Sequence, residues 1–246
     1  MDRQDPARER VHFEQIASTR RKLYWAERTA AGRRRRDIRS GLLATAAAVG
    51  LGDDAHILDI GCGIADYTIP FARRTGATVI GIDVAPSLLA RARPSAPRNV
   101  RLVAANVEAL PFATHAFDAV IGHAVLHHLR LDRAIPEMLR VLRPGGRFCF
   151  AEPNLLNPQV FVERTVPFIG RWLENSPGET AFTRWGLRRT LARYGLVELV
   201  IRPFDFLYPL TPRRLVSVVE RVGRVLERTP LVAEIAGSLL VSARKA

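Results

Sequence analysis

The stretch His56-Ile-Leu-Asp-Ile-Gly-Cys-Gly-Ile-Ala-Asp66 decides the fold of this chain. Its apolar start predicts a parallel strand, because such strands are covered on both faces and read as apolar runs. Gly61 and Gly63 then predict a tight turn where the backbone approaches a ligand closely, since glycine has no Cβ. The next residues, from about 65 to 74, have helical composition. Strand, glycine turn and helix in this order predict the nucleotide-binding corner of a doubly wound α/β sheet.

The spacing of the glycines distinguishes two cofactor classes. A dinucleotide-binding loop has the pattern Gly-x-Gly-x-x-Gly, in which the helix start faces a pyrophosphate. In this chain the last position of that pattern is Asp66, whose carboxylate would face two phosphates. The observed pattern is instead acidic-x-Gly-x-Gly-x-Ala, from Asp59 to Ala65. An ordinary strand-to-helix turn without a ligand is the alternative at this point.

A second apolar run, Thr78–Asp83, also ends in a carboxylate, about 20 residues after the glycine turn. An acidic side chain at that position accepts hydrogen bonds from the two ribose hydroxyls of a nucleoside. The alternative is that Asp83 or Ser87 caps a helix predicted at Pro86–Arg93. We favour ribose binding, because the residue follows a strand next to a glycine turn.

These motifs resemble those of the class I S-adenosylmethionine-dependent methyltransferases of the small-molecule type. The resemblance is specific between about residues 56 and 152 and fades on both sides. It implies a Rossmann-like α/β fold, a doubly wound seven-stranded mostly parallel sheet whose seventh strand runs antiparallel between the fifth and sixth. It also implies S-adenosyl-L-methionine as the cofactor. The cofactor-binding residues that it indicates are Asp59, Gly61, Cys62, Gly63, Asp83, Val84, Asn106, Val107 and His123.

The residue after the predicted third strand, Val100–Ala105, departs from the pattern of that family. The family commonly has an Asp that accepts from the adenine amino group, and this chain has Asn106. An amide oxygen accepts the same bond, and the amide NH2 donates to a ring nitrogen. Val107 would add a backbone N–H and an apolar wall for the adenine ring.

Length and organisation predict one sizeable domain with additions, since 246 residues are few for two independent domains. Residues 1–52 are interpreted as an N-terminal helical cap, with helices at about 7–31 and 37–49. Residues 53–246 are interpreted as the Rossmann-like methyltransferase domain, with a substrate-lid insertion at about 153–182. Strands are expected at 196–206 and 239–245, and a helix at 211–228 with its apolar side inward.

Composition excludes several classes of protein. The chain has no apolar run of membrane-spanning length, and its first residues are not a secretory signal, so we expect a cytoplasmic protein. Cys62 and Cys149 are expected to be reduced. The two cysteines and six histidines have no zinc-binding spacing, so we predict no metal site. The oligomeric state is not indicated.

The net charge of +13 favours anionic partners. The one concentrated basic run, Arg33–Arg36, is interpreted as a solvated helix face, because nucleic-acid sites usually place aromatic side chains among the charges. We therefore predict no specific nucleic-acid partner. The expected partner is a small-molecule acceptor with some anionic character.

The segment Gly122-His-Ala-Val-Leu-His-His-Leu129 follows the predicted fourth strand, where ligands of open α/β sheets bind. Histidine suits a general base, because its unperturbed pKa is about 6.5. His123, His127 and His128 are therefore catalytic candidates, of which at most one acts as the base. The alternative is that one packs in the core and another caps a helix.

Acceptor contacts should come from the parts of the chain outside the resemblance, which are rich in aromatic residues. The candidates are Tyr24, Glu152, Phe182 and Phe206. The expected activity is methyl transfer to an oxygen or nitrogen of a small metabolite. The alternatives are an RNA ribose methyltransferase and a non-catalytic S-adenosylmethionine-binding protein.

Overall fold

The structure, a computed structural model, describes residues 5–18, 29–48, 51, 54–172 and 179–246. The strands are β1 (His56–Ile60), β2 (Thr78–Asp83), β3 (Val100–Ala104), β4 (Phe117–His123), β5 (Leu142–Pro153), β6 (Leu196–Phe204) and β7 (Ser238–Lys245). The helices are α1 (Pro6–Ser18), α2 (Ala30–Ala48), α3 (Thr68–Thr75), α4 (Pro86–Ala92), α5 (Leu131–Val141), α6 (Pro158–Thr165), α7 (Pro167–Trp172), α8 (Arg184–Leu191) and α9 (Val216–Leu226).

The sheet has the strand order β3-β2-β1-β4-β5-β7-β6. The strands from β1 to β5 pair in parallel, and β7 runs antiparallel to both of its neighbours. The predicted fold class, a doubly wound seven-stranded mostly parallel sheet, is confirmed. Because the parallel strands end at the same edge, the segments that follow β1, β2, β3 and β4 are brought together there.

Both faces of the sheet are buried, and successive strand residues alternate between them. Leu58, Val120 and Phe148 belong to one hydrophobic cluster, against which α5 and α8 pack. Their chain neighbours Ile57, Ile121 and Cys149 belong to a second cluster, with residues of α2 and α3. This two-sided burial explains why the central strands β1 and β4 are largely apolar runs.

The N-terminal helices differ from the predicted bounds. Helix α1 ends at Ser18, residues 19–28 lie outside the described part, and α2 begins at Ala30, before the predicted start at 37. The basic run Arg33–Arg36 is therefore inside a helix and not before it, because arginine is a strong helix former. Leu43 and Ala47 of α2 are buried in the second cluster. The division of the chain at residue 52 stays a prediction.

The orientation predicted for the helix at 211–228 is wrong. Helix α9 covers only Val216–Leu226, and its apolar residues are largely exposed within the described structure: Val218 at 46%, Val222 at 51% and Val225 at 64%. Leu215, just before the helix, is also exposed. An apolar stripe at helical spacing predicts the helix, but it does not determine whether another element covers that stripe.

The bounds of the other C-terminal elements follow the sequence closely. Thr183 caps α8, since its hydroxyl accepts a hydrogen bond from the Gly186 N–H at 3.1 Å. Strand β6 ends at Phe204, two residues before the predicted end. Among the residues that the structure describes, no helix combines the length and apolar character needed to cross a membrane.

Candidate active site

The turn after β1 depends on its glycines. Gly61 and Gly63 have φ values of 67° and 54°, in the left-handed region that favours glycine. A Cβ on Gly61 would lie 2.5 Å from Val125 Cγ2, so the position has no space for a side chain. Ala65, the last residue of the pattern, has a φ of 61°, also in the left-handed region. The turn is therefore shaped for close backbone approach.

Asp83 at the end of β2 connects this turn to the neighbouring strand. Its Oδ2 accepts a hydrogen bond from the Gly63 N–H at 2.8 Å, and its Oδ1 accepts one from the Ala85 N–H at 2.9 Å. Burial raises the pKa of Asp83, and these backbone hydrogen bonds lower it in part. The N-cap of α4 is Ala85, with no side-chain capping bond. The alternative role of Asp83 or Ser87 as a side-chain N-cap is not what the structure shows.

Asp59 lies behind the glycine turn. Its Oδ2 accepts a hydrogen bond from the Thr68 hydroxyl at 2.6 Å, and 4% of the residue is exposed. Burial raises the pKa of Asp59 to about 7; the Thr68 hydrogen bond lowers it and the nearby Asp83 carboxylate raises it. The sequence indicated Asp59 as a cofactor contact, whereas its described contacts position the start of α3.

A cavity of about 380 Å³ lies at the carboxyl ends of β1 to β4. Eight of the nine predicted cofactor-binding residues line it, and Asp59 is the exception: Gly61, Cys62, Gly63, Asp83, Val84, Asn106, Val107 and His123. Asn106 Oδ1 accepts a hydrogen bond from the Glu108 N–H at 3.0 Å, which fixes the amide in the loop. A carbonyl oxygen has a second lone pair, so Asn106 still fits an adenine amino group.

His123 lies where the first cavity meets a second one. Arg39 Nη1 donates to its Nε2 at 3.2 Å, and the ring stacks on Tyr67 with centroids 3.6 Å apart. Burial and the charges of Arg39 and Arg35 lower the pKa of His123 well below its ordinary value. Because a guanidinium only donates, the Nε2 lone pair is already used. This arrangement does not suit a general base.

His127 is buried between two carboxylates. Its Nδ1 lies 2.7 Å from Glu152 Oε2, and its Nε2 lies 3.2 Å from Glu179 Oε1. Burial alone would lower the pKa of His127, but the hydrogen bonds to Glu152 and Glu179 outweigh it and raise the pKa to about 9. A cationic imidazole at neutral pH does not accept a proton, so His127 is not suited to general-base catalysis.

Glu152, at the end of β5, has a positioning role in this structure. Its Oε1 accepts hydrogen bonds from the N–H groups of Val125 and Leu126, at 3.0 and 2.9 Å. Since Oε2 contacts His127, one carboxylate fixes both the backbone and the side chain of the loop after β4. Glu152 also lines the second cavity, and it is one of the residues that the sequence suggested as acceptor contacts.

His128 lines the first cavity and contacts residues that the sequence did not single out. Its Nδ1 lies 3.1 Å from Glu9 Oε2, and its Nε2 lies 3.7 Å from Glu179 Oε1. Burial alone would raise the pKa of Glu179, but the His127 hydrogen bond and the charges of His128 and Arg164 lower it to about 2. Glu9 and Glu179 lie far from residue 128 in sequence, so no local pattern indicated them.

The second cavity, of about 560 Å³, adjoins the first. The two share the lining residues Arg39, His123, Ala124 and Arg164. Phe206 lines the second cavity, as predicted for an acceptor contact. Phe182 packs against the main hydrophobic cluster and is not among the residues that line either cavity. Tyr24 lies outside the described residues.

The arginine run makes contacts within the chain. Arg34 forms two hydrogen bonds with the Glu220 carboxylate, at 2.8 and 2.6 Å. Arg35 contacts Asp205 Oδ2 at 2.9 Å, and Arg36 lies 3.6 Å from Asp66 Oδ1. The side chain of Arg35 is 16% exposed, so the interpretation of the whole run as a solvated face is wrong for this residue. The ion pair of Arg35 with Asp205 joins α2 to the segment after β6.

Comparison with known proteins assigns this arrangement to a family. Residues 58–150 match the family described as "Methyltransferase domain", and the match begins in β1 and ends in β5. This match agrees with the resemblance of the motifs to the class I S-adenosylmethionine-dependent methyltransferases, and S-adenosyl-L-methionine is the cofactor of that family.

Individual known proteins are similar to this chain in sequence or in fold. A demethylmenaquinone methyltransferase of Thermus thermophilus is 37% identical over 135 residues, which cover 50% of this chain and 61% of the relative. A geranyl diphosphate C-methyltransferase of Streptomyces coelicolor, solved with geranyl diphosphate, Mg²⁺ and S-adenosyl-L-homocysteine, has a TM-score of 0.61 at 20% identity, covering 87% of this chain and 80% of that one. The [4+2]-cyclase SpnF has a TM-score of 0.62 at 23% identity, covering 85% and 80%.

The matches have a limited extent. The chain spans between 38% and 65% of the length of the first curated relatives that it matches. The likeness to the solved structures, at identities of 20% and 23%, shows the fold. One of these two structures is named as a cyclase, so the fold occurs in proteins named for different reactions.

Proposed function

We propose that this protein binds S-adenosyl-L-methionine in the first cavity and transfers its methyl group to an oxygen or nitrogen of a small anionic metabolite in the second. The observation that carries the proposal is the shared wall of the two cavities, formed by Arg39, His123, Ala124 and Arg164. Methyl transfer from a sulfonium requires the nucleophile, the methyl carbon and the sulfur in line. Two adjoining cavities support that arrangement.

The lining of the first cavity fits the proposed cofactor. The Asp83 carboxylate lies at its edge and suits vicinal ribose hydroxyls, and the turn at Gly61 has no room for a Cβ. Asn106 and Val107 supply an amide and an apolar wall for adenine. When bound, the cofactor supplies an activated methyl group, and the protein contributes orientation and exclusion of water.

The lining of the second cavity supports an acceptor with an anionic and an apolar part. Arg35, Arg39 and Arg164 line it beside Glu152, Glu163 and Asp205, and an anionic group of the acceptor would take the place of a carboxylate partner at a guanidinium. Apolar side chains complete the lining: Val160, Phe206, Leu207 and Leu210. The relative named demethylmenaquinone methyltransferase is also named for a small-molecule acceptor, which supports the same class.

The three histidines are unequal candidates for proton transfer. His123 already accepts from Arg39, and His127 is held between two carboxylates. His128 lines the first cavity, and its contacts with Glu9 and Glu179, at 3.1 and 3.7 Å, are longer, nitrogen for nitrogen, than those of His127 with its two carboxylates. If a side chain acts as the general base, His128 fits that role best.

The RNA methyltransferase alternative has less support. It depends on the positive charge, and Arg34, Arg35 and Arg36 of the concentrated run contact carboxylates of the same chain. Non-specific affinity for nucleic acid comes from cations that neutralise phosphates. A small molecule is therefore the proposed acceptor. The experiment below also tests RNA as the acceptor.

The test follows a labelled methyl group. The protein is incubated with methyl-labelled S-adenosylmethionine and, separately, with the small-molecule, RNA and protein fractions of a cell extract. We expect label in the small-molecule fraction and release of S-adenosylhomocysteine, both abolished by Asp83→Ala and kept by Asp54→Ala at an exposed position. Label in the RNA fraction would show that RNA, and not a small molecule, is the acceptor. Cofactor binding in calorimetry without label in any fraction would support the non-catalytic alternative.

A further inference from the structure

Three side chains with metal-ligating atoms converge in the wall of the first cavity. The Nε2 atoms of His127 and His128 lie 3.2 and 3.7 Å from Glu179 Oε1. All three residues line the cavity, and their ligating atoms lie within 4.8 Å of one another. Bonds of about 2.0–2.2 Å to one ion place ligand atoms about 3.0–3.5 Å apart. The two distances to Glu179 Oε1 are close to this spacing.

Both histidines also have a carboxylate near Nδ1, the ring nitrogen that faces away from Glu179. The His127 Nδ1 lies 2.7 Å from Glu152 Oε2, and the His128 Nδ1 lies 3.1 Å from Glu9 Oε2. The Glu152 carboxylate favours the tautomer of His127 in which Nε2 is the ligating atom. Arg164 Nη2 contacts Glu179 Oε1 itself at 2.6 Å, so this guanidinium lies beside the ligating oxygen and an ion would displace it from that atom. Metal sites in proteins commonly have this outer layer, which orients the ligands.

The group is held by several parts of the fold. Glu152 is 1% exposed and is fixed by the backbone N–H groups of Val125 and Leu126. Glu9 belongs to α1, and Glu179 belongs to the segment before α8. Ligands that converge from separate segments are preorganised by the fold rather than by a local motif. This explains why sequence spacing predicted no metal site.

The charges around the group also suit a cation. Glu9, Glu152 and Glu179 supply three negative charges, and Arg164 supplies one positive charge. Binding of an ion would release the proton of His127, since a ligating imidazole is neutral, and the cluster then has two excess negative charges, which one divalent ion neutralises. Imidazole and carboxylate together suit zinc, iron and nickel, whereas magnesium prefers oxygen ligands alone.

We propose that His127, His128 and Glu179 bind a divalent first-row transition-metal ion at this place in the cavity wall. Three protein ligands leave coordination positions open, as in catalytic metal sites. An ion there would face the first cavity and would offer its open positions to oxygen atoms of the ligand bound in that cavity. His128 would then be a ligand and not a general base. The inference goes beyond the proposed methyl transfer, and its binding test is done without S-adenosylmethionine.

The experiment is isothermal titration calorimetry of the tag-free protein with Zn²⁺, and separately with Mg²⁺. We expect one Zn²⁺ per chain, with Mg²⁺ binding at least about 100-fold weaker. His128→Ala should weaken Zn²⁺ binding by about 100-fold or more, and Glu9→Ala by about 10-fold through the loss of an outer partner. His115→Asn is the matched control, because His115 is exposed and Asn tolerates its φ of 61°.

Folding of the variants is checked by circular dichroism, and Glu179→Gln replaces His128→Ala if that variant does not fold. Co²⁺ provides a second measurement, since visible absorption bands that are lost in Glu179→Gln and kept in His115→Asn report coordination by this group. Absence of Zn²⁺ binding would overturn the proposal and support His128 as a base. Equal Zn²⁺ affinity of the wild type, His128→Ala and Glu179→Gln would overturn it as well.

Discussion

Asp83 Oδ2 accepts a hydrogen bond from the Gly63 N–H at 2.8 Å, which joins the end of β2 to the glycine turn after β1. The same carboxylate lines the first cavity. One residue therefore shapes the turn and offers acceptor oxygens to the ligand that the turn approaches. Removal of Asp83 should affect both the turn and the ligand.

We expect Asp83→Ala to weaken S-adenosylhomocysteine binding by about 10- to 150-fold, because a hydrogen bond to a charged group contributes roughly 1.5–3 kcal/mol. The measurement is calorimetry with the wild type and the variant, and Asp54→Ala is the control at an exposed position. The affinity of Asp83→Asn should lie between those of the wild type and Asp83→Ala, since an amide keeps one acceptor oxygen. Unchanged affinity in folded Asp83→Ala would contradict the assignment of Asp83 to the ribose.

Gly61→Ala should destabilise the protein by two separate effects. The first is strain, because an alanine at a φ of 67° costs about 1–2 kcal/mol. The second is the overlap of the new Cβ with Val125 Cγ2 at 2.5 Å. Gly145→Ala isolates the strain, since Gly145 has a φ of 75° and a Cβ there would meet nothing within 4 Å. Urea unfolding should show a larger loss for Gly61→Ala, and equal losses would contradict the overlap.

The raised pKa of Asp59 predicts that the stability of the protein depends on pH. Its pKa is about 7 in the folded state and about 3.9 in an unfolded chain. The folded state therefore binds the proton more tightly, so this contribution to stability is fully present below about pH 4 and is lost as the pH rises through about 7. Asp59→Asn keeps an oxygen that accepts from Thr68 and does not ionise.

We expect Asp59→Asn to be more stable than the wild type at pH 8, by up to about 4 kcal/mol, and the difference to shrink by pH 5. The measurement is the free energy of unfolding of both proteins across this range, with Asp54→Asn as the control. Affinity for S-adenosylhomocysteine should change little, because Asp59 does not line the cavity. A difference that is independent of pH would contradict the raised pKa.

Much of the fold and of the cofactor cavity was predictable because the signals are local. Strands β1 and β2 are covered on both faces, so burial gives them apolar runs, and Asp83 follows β2 directly. The position of β7 between β5 and β6 came only from the resemblance, since strand order is set by pairing between distant segments.

The unpredicted part of the site depends on distant contacts. Glu9 approaches His128 because α1 packs on α4, where Ala17 and Leu88 share a small hydrophobic cluster. Glu179 follows a Pro-Gly pair in a segment without periodicity. The residues around the second cavity come from α2, α6 and the segment after β6. Such convergence is a property of the packed chain, and a single-sequence pattern does not contain it.

Nucleic-acid binding should be weak and indifferent to sequence. Binding through neutralised phosphates falls with log salt, with a slope of about 0.9 per contact on duplex DNA and 0.7 on single strands. Because Arg34, Arg35 and Arg36 contact carboxylates of the chain, we expect a shallow slope and little binding at physiological salt. Fluorescence anisotropy with a structured RNA and a scrambled control at several salt concentrations measures both. Tight binding to the structured RNA alone would contradict this prediction.

Substitutions of His123 and His128 should have different effects on turnover. Replacing His123 by Gln keeps an oxygen that accepts from Arg39, so we expect the rate of S-adenosylhomocysteine release to fall less than about 10-fold. His128→Asn should lower that rate by about 10²–10⁴, whether the residue takes the acceptor proton or holds an ion. Both variants should keep cofactor affinity within a few fold, because the loss belongs to the transition state.

Initial rates at saturating S-adenosylmethionine and calorimetry with S-adenosylhomocysteine provide the two measurements, and His115→Asn serves again as the control.

The rate of His128→Asn, followed from pH 6 to 9, distinguishes the two roles of His128. A base leaves a variant whose residual rate no longer depends on a histidine-like pKa. A metal ligand leaves a variant that excess Zn²⁺ restores in part. Full activity of His128→Asn together with a large loss in His123→Gln would reverse the assignment, since the proton would then leave beside Arg39, at the wall that the two cavities share.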